Sequence, residues 1–370
     1  MQNLEKKMTS SSKRNMILTL VSIVLLIVIL AVIEPLCGKY VSRIVKLSAI
    51  YAICALSMNM VNGFTGLFSL GQPGFMAIGA YVCAILTLAP SDKVAVFYIT
   101  PMPSFLANIH MPFLVALIMG GLLAAGIAFL VGFPVLRLKG DYLAIATLGF
   151  SEIIRVILQN MQSITNGPLG INKIPAHVSI WVAFGVLALI AAFMLVMMKT
   201  TYGRALKAIC EDEIAAQAMG INLFKHKMLA FALSGFIAGI SGGLLASLVG
   251  AIDPTQFKFT LAYTLLLMVV LGGQGSISGS IIGAFIITIA QELLRFMDEP
   301  IHIGFIHYPG IEGMRMVVFS AMLMIIILFW SRGIFGSQEF SWNRLIDSFK
   351  KIGRKNGKSK EVSTDVNARS

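Results

Sequence analysis

Three groups of residues in this sequence have types and spacing that could do chemistry. The first is a pair of carboxylate and arginine couples, Glu152 with Arg155 and Glu292 with Arg295, each set in an apolar stretch. Residues three apart share a helix face, so each couple can neutralise itself. A charge inside hydrocarbon costs about 2.5–3.5 kcal/mol even on the most lenient insertion scales. At about 1.5 Å of rise per residue, Glu152 lies about 16 Å along its helix from Asp141, near a bilayer midplane. It can touch a solute or brace a neighbouring helix, and the built-in partner favours the brace. Glu292 and Arg295 lie nearer a helix end, where snorkelling relieves the cost.

The second group lies in two glycine-rich, nearly uncharged connections. One runs from Asn62 through Gly63, Thr65, Gly66, Gly71, Gln72 and Pro73 to Gly74; the other runs from Leu271 through Gly272, Gly273, Gln274, Gly275 and Ser276 to Gly279. Irregular backbone at membrane depth is tolerated only where protein or a wet cavity satisfies it. Two readings therefore stand: broken-helix backbone lining a pathway, or tight hairpins whose small residues let helices approach. On the first reading Asn62, Thr65, Gln72, Gln274 and Ser276, with Glu152, supply the polar groups of a mostly apolar route. Similar phrases follow both segments, Ala77-Ile78-Gly79-Ala80-Tyr81 and Ile281-Ile282-Gly283-Ala284-Phe285. A second echo pairs Ser151–Arg155 with Gln291–Arg295. Together they raise the expectation of two related halves.

The third group is Arg204-Ala205-Leu206-Lys207-Ala208-Ile209-Cys210-Glu211-Asp212-Glu213-Ile214-Ala215-Ala216-Gln217-Ala218-Met219-Gly220, within a connection at about 199–227. Its alanines favour helix, and Gly220 is a natural C-terminal stop. Leu206, Ile209, Cys210 and Ile214 form an apolar stripe beside acidic residues. A short exposed helix of this kind needs a surface to lie on. Three consecutive acids meet anionic headgroups poorly, so a protein partner fits better than lipid.

Other chemistries lack their residues. There is no Gly-x4-Gly-Lys-Ser/Thr loop for phosphate and no His-Glu-x-x-His pair for zinc. If ATP drives this protein, another polypeptide hydrolyses it. His110, His177, His226, His302 and His307 lie in connections and read as solvated; Cys37, Cys54, Cys83 and Cys210 lack paired spacing. No cofactor or metal is expected, and neither is an enzyme.

The elements that must hold these residues are apolar. Of 370 residues, 57% are hydrophobic and 12% charged, about half the charge of a soluble domain. A span takes about 20 apolar residues, and about ten stretches qualify: 16–33, 44–62, 72–89, 112–135, 141–160, 178–198, 228–250, 257–272, 277–297 and 313–330. The expected fold is an all-α, polytopic membrane bundle. The net charge of +12 lies before 16, after 135, between 199 and 227 and after 331, all on one side of a ten-span chain. By the positive-inside rule that side is the cytoplasm, with both termini there. The charge thus orients the chain, and nucleic-acid binding is not expected, for want of a recognition module. The first span reads as retained rather than as a cleaved leader. The expected divisions are a segment 1–15, a transmembrane domain 16–335 and a basic tail 336–370. In that tail Trp342, Leu345, Ile346, Phe349 and Ile352 suit an interfacial helix before a polar end.

The third group also carries a resemblance. It resembles the cytoplasmic coupling loop of ABC importer permeases, in which Glu-Ala-Ala, three residues and Gly recur. Ala215, Ala216 and Gly220 match, Ile214 stands at the usual Glu position, and Glu213 falls one residue early. Over about 40–335 the chain more specifically resembles the branched-chain amino acid permeases of the LivM type. The phrases are Ser69–Phe75, Gly140–Phe150, Asn166–Ile171, Glu211-Asp212-Glu213, Val270–Gly273 and Arg332–Gly336, with Ser331 where relatives often show Arg-Pro. The resemblance implies an inner-membrane permease for aliphatic amino acids. It also implies a second related permease, two cytoplasmic ATP-binding subunits and an extracytoplasmic solute-binding protein. The stretch 204–220 would then dock on an ATPase, with Leu206, Ile209 and Ile214 buried there and Glu211, Asp212 and Glu213 at a basic rim. A urea or short-amide permease is the nearest alternative. An ion-coupled carrier is the next, although its coupling carboxylate would be Glu152, which has an arginine beside it.

Overall fold

The computed structural model describes residues 21, 24–25, 27–32, 38–138, 140–298, 301–303, 306–308, 313–329, 333–334 and 336. Residues 39–338 form one compact unit, and 1–38 with 339–370 a second. Within the second, 27–32 are helical. Most of the expected first span, the segment 1–15 and the amphipathic tail lie outside the described residues.

The large unit is helical: α1 Gly38–Asn62, α2 Gln72–Thr87, α3 Pro90–Val96, α4 Phe113–Val135, α5 Asp141–Asn160, α6 Ile180–Lys199, α7 Thr201–Glu211, α8 Glu213–Ala218, α9 Leu223–Val249, α10 Phe259–Gly272, α11 Ile277–Leu293 and α12 Met314–Phe329. Among the described residues an isolated antiparallel bridge between Ile171 and Ile252 and one short hairpin depart from all-α. Strands β1 Ile301–Ile303 and β2 Ile306–Tyr308 pair antiparallel, with His302 opposite His307. Isoleucine alternating with histidine has the two-residue period of a strand, and the stretch is too short to build a helix.

Among the described residues, α1, α4, α6 and α9 are each long and apolar enough to cross a membrane. The pair α2 and α3, bent by 120°, makes a fifth if counted as one span. The expected count of ten is therefore not reproduced. Length is the reason for α10 and α11, whose 14 and 17 residues reach about 21 and 26 Å against a core of about 30 Å. Composition is the reason for α5, which is 20 residues long but carries Asp141, Glu152 and Arg155.

The most apolar helices are not the most buried. α1 and α9 are 72% and 78% buried over their apolar windows, whereas α4 and α6 are 33% buried. Lipid tails are as apolar as leucine, so close packing of small residues, not hydrophobicity, draws helices inward. α9 accordingly carries Gly235, Gly239, Gly242 and Gly243. A Cβ at Gly79 of α2 would lie 2.0 Å from the Gly239 carbonyl oxygen, and one at Gly242 would lie 1.9 Å from that of Met76. Gly120 of α4 meets Gly79 in the same way, so α2, α4 and α9 touch backbone to backbone. In the second echoed phrase, Gly283 of α11 lies against Met268 of α10 at 2.2 Å by the same measure. The repeated Ile-Gly-Ala phrase thus places a glycine at a tight helix crossing both times.

Candidate functional site

Glu152 projects from the middle of α5 and meets the start of α10. Its Oε2 accepts from Arg155 Nε at 2.6 Å, and its Oε1 accepts from the backbone N–H of Phe259, the first residue of α10, at 3.0 Å. Arg155 also donates to Gln159 Oε1 at 3.1 Å. The first N–H groups of a helix have no partner within it and need an acceptor. The carboxylate supplies one and adds favourable charge at the positive end of the helix dipole. These bonds are those of a brace, and the Glu152 side chain keeps 27% exposure. Glu292 likewise accepts from Tyr40 at 2.7 Å and pairs with Arg295 at 3.3 Å, beside a cavity of about 870 Å³ that Arg43, Ile44 and Leu47 also line.

The glycine segments are packed rather than open. Gln72 is fully buried, its Oε1 accepting from Ser57 at 3.1 Å and its Nε2 donating to Ser234 at 2.9 Å. Thr65 bonds back to the Val61 carbonyl, and Ser276 caps α11 through Gly279 N at 3.1 Å. These three residues direct these bonds inside the chain, Gln72 through both of its polar atoms. Asn62 differs: its Oδ1 accepts from Ser69 N at 3.1 Å, but its buried Nδ2 has no partner. Gln274 is exposed at the turn between α10 and α11.

The charged connection forms two helices, α7 and α8, and not the single helix expected. Asp212 causes the break. Its extended backbone leaves α7, and its carboxylate caps α8 by accepting from Ile214 N at 2.8 Å and Ala215 N at 3.0 Å. Leu206 and Ile209 are 0% and 1% exposed within this chain. They therefore seat α7 on the bundle and offer no surface to a partner, a correction to the expected docking stripe. Glu213 is likewise committed, to Lys227 at 2.6 Å. That pair is lopsided, since the Lys227 side chain is 10% exposed and that of Glu213 44%. Removing Glu213 would strand a buried ammonium, whereas removing Lys227 would free a carboxylate to water.

Arg204, Glu211, Ala215 and Gly220 face outward, Ala216 is buried at 4%, and Ile214 and Met219 are each 82% exposed. Gly220 has φ +84°, and a Cβ added there would meet nothing within 4 Å. Its value is conformational: a left-handed stop that other residues adopt at a cost. Tyr202 of α7 stacks on His226 at 4.7 Å and donates to its carbonyl at 2.9 Å, and burial pushes the phenol up to about 12. The Cys210 thiol, turned against Gly63, is raised by desolvation first and by Glu211 second. Two apolar knobs thus stand on a short helix that its own chain clamps from behind.

A model of the family described as "Branched-chain amino acid transport system / permease component" matches residues 40–328. The chain belongs to this family. It is 36% identical over 290 residues to the high-affinity branched-chain amino acid transport system permease protein LivM of Escherichia coli (strain K12), covering 69% of this chain and 64% of that relative. It thus spans just under two thirds of that protein's length. The probable LivM of Methanocaldococcus jannaschii is 27% identical over 286 residues, 69% of this chain and 81% of the relative. LivH of Escherichia coli (strain K12), also a permease protein of the high-affinity system, is 25% identical over 313 residues, 80% of this chain and 94% of the relative. As a member of this permease family with several membrane-length helices, the chain is a multi-pass membrane protein.

Two features of this permease-family chain escape sequence reading. Lys93 of α3 is 1% exposed, and its ammonium donates to the Leu106 and Ile109 carbonyls at 2.8 and 2.5 Å. It staples the connection 97–112, which the sequence shows only as a loop. Asn59 is fully buried near the end of α1 and bonds to the second glycine segment more than two hundred positions away. An asparagine between two methionines is its signal, and nothing in the run names its partner.

Proposed function

We propose that this chain is one of two permease subunits of an ATP-driven importer of branched-chain aliphatic amino acids. Two cytoplasmic ATP-binding subunits and an extracytoplasmic solute-binding protein complete the assembly in the inner membrane. The observation that carries the reading is α8, whose exposed Ile214 and Met219 form a contact for a soluble partner. Lys227, Tyr202 and Asp212 hold that contact rigid. Rigidity matters because a push transmitted through a loose loop would be absorbed there. The names of the relatives favour amino acids over urea, and Glu152, the carboxylate an ion-coupled cycle would use, is bonded to Arg155 and to the start of α10.

Uptake by vesicles holding this chain with its partner permease, the ATP-binding subunits and the binding protein tests the reading. Leucine, isoleucine and valine should accumulate only with ATP inside, and urea should not compete. Accumulation that follows an ion gradient and ignores ATP would end it.

The orientation places 199–227 and both termini in the cytoplasm. Asn108 and Gln217 are both exposed, so each suits an introduced cysteine once the exposed Cys210 is replaced by serine. An impermeant maleimide added to intact cells should label position 108 and spare 217 until the membrane is opened. The reverse pattern would invert the topology.

A further inference from the structure

Resting on the coupling reading above, we infer that Asn59 is a positioning residue that ties the charged loop to the second glycine segment. The tie runs from Cys210 through Gly63 and Asn59 to Gly275 and Ser276. Cys210, at the end of α7, places its thiol 3.7 Å from the Gly63 carbonyl oxygen. A Cβ on Gly66 would come within 3.2 Å of that same sulfur. The first glycine segment therefore rests against the loop helix.

That segment is anchored in turn on Asn59, whose backbone carbonyl accepts from Gly63 N at 2.8 Å and Phe64 N at 3.0 Å. The Asn59 side chain then reaches across, donating through Nδ2 to the Ser276 carbonyl at 2.9 Å and accepting at Oδ1 from Gly275 N at 2.8 Å. An amide offers a donor and an acceptor in one plane, and here it serves two adjacent residues.

Glycine is required where the segments meet. A Cβ at Gly63 would lie 1.9 Å from Asn59 Oδ1 and 2.4 Å from Gly275 N. The second segment carries the first turn of α11 through Ser276 and abuts Gly333 and Gly336 through Gly273. A displacement of α7 thus reaches α11 through two short side chains, Cys210 and Asn59, and the backbone between them. The same arrangement explains why both segments are glycine-rich and uncharged although neither is open.

The complete complex in lipid vesicles tests the tie, with spin labels carried on keto-bearing unnatural residues at the exposed positions 217 and 274, so that Cys210 stays in place. In the parent the distance between the labels should stay constant when ATP binds, because the two positions move together. In Asn59→Ala it should change on ATP binding, and solute moved per ATP should fall about tenfold, an ordinary size for a lost coupling, while hydrolysis persists. Gly63→Ala, which drives a methyl into Oδ1, should reproduce both effects.

Asn59→Asp keeps the acceptor for Gly275 N and loses the donor to Ser276, and should fall between parent and alanine. This variant also decides the matter if the alanine form fails to assemble. An unchanged distance and transport ratio in these variants would overturn the tie. So would a proportional loss of hydrolysis and transport, which marks a purely structural role. A parent whose label at 217 shows no response to ATP against the partner subunits would overturn the coupling reading itself.

Discussion

Gly242→Leu should abolish the folded protein, and Gly242→Ala alone should lower its stability in detergent by at least about 3 kcal/mol, the upper end of overpacking effects. Local and tertiary terms have opposite signs here. Glycine in a helix interior is about 1 kcal/mol worse than alanine, so propensity predicts that either change helps. The added Cβ would lie 1.9 Å from the Met76 carbonyl oxygen and 3.0 Å from Ala80 N. Those atoms are backbone and cannot rotate away, so α2 and α9 must separate and forfeit the contacts that bury both. Gly126 of α4 and Gly185 of α6 have nothing within 4 Å and serve as controls. Gly126→Ala and Gly185→Ala should hold or raise the melting temperature, read by size-exclusion after heating. Equal tolerance at 242 and 126 would show that the three-helix crossing is looser than its backbone contacts imply.

The contrast among glycines also shows how far the fold is legible in the sequence. Hydropathy finds the positions of α1, α2, α4, α5, α6, α9, α10, α11 and α12, because apolar runs end where charge or glycine begins. It does not find the centre. α4 and α6 read as the strongest spans and face outward, while α1 and α9, with their serines, asparagines and glycines, are the most buried. Hydropathy measures transfer from water, and that transfer does not distinguish lipid from a helix neighbour. Nor does it measure reach. α10 begins against Glu152, a relation between residues 107 positions apart that no window along the chain contains.

The candidate site is legible where chemistry is local and illegible where it is paired. Gly220, ending α8 at positive φ, follows from residue type and spacing, whereas the break that Asp212 makes is absent from the single helix expected. The carboxylate at 152 and its arginine also follow from a spacing of three. By contrast, the sequence alone puts Leu206 and Ile209 on a partner, because an apolar stripe does not say which surface covers it, and here α7 lies on its own bundle. Gln72 reads as free for a solute for the same reason: its partners, Ser57 and Ser234, stand on two other helices. The residues that stay outward, Ile214 and Met219, are those that the chain itself leaves unused.

Those two residues set the sharpest test of coupling. Ile214→Asp and Met219→Asp lie on exposed surface, where substitutions change a protein's own stability by about 0.5 kcal/mol or less. The permease should insert, fold and pair normally. If α8 docks on an ATP-binding subunit, each change removes an apolar anchor and buries a charge, worth about 2 kcal/mol or more at such an anchor and so roughly thirtyfold in affinity. The double variant should co-purify with no ATP-binding subunit, and ATP-dependent uptake should vanish. Ala216→Asp should fail differently, because Ala216 is 4% exposed beneath α8 and an unpaired carboxylate there costs about 3–5 kcal/mol in the chain itself. It should unseat the helix, seen as faster proteolysis at 212–220 before any partner is added. Gly220→Leu meets no neighbour and pays only for its left-handed backbone, about 1–2 kcal/mol, so uptake should fall modestly. This ranking separates contact from scaffold: wild-type assembly in the Ile214→Asp, Met219→Asp double variant would place the ATP-binding subunits elsewhere on the chain, however well α8 is held.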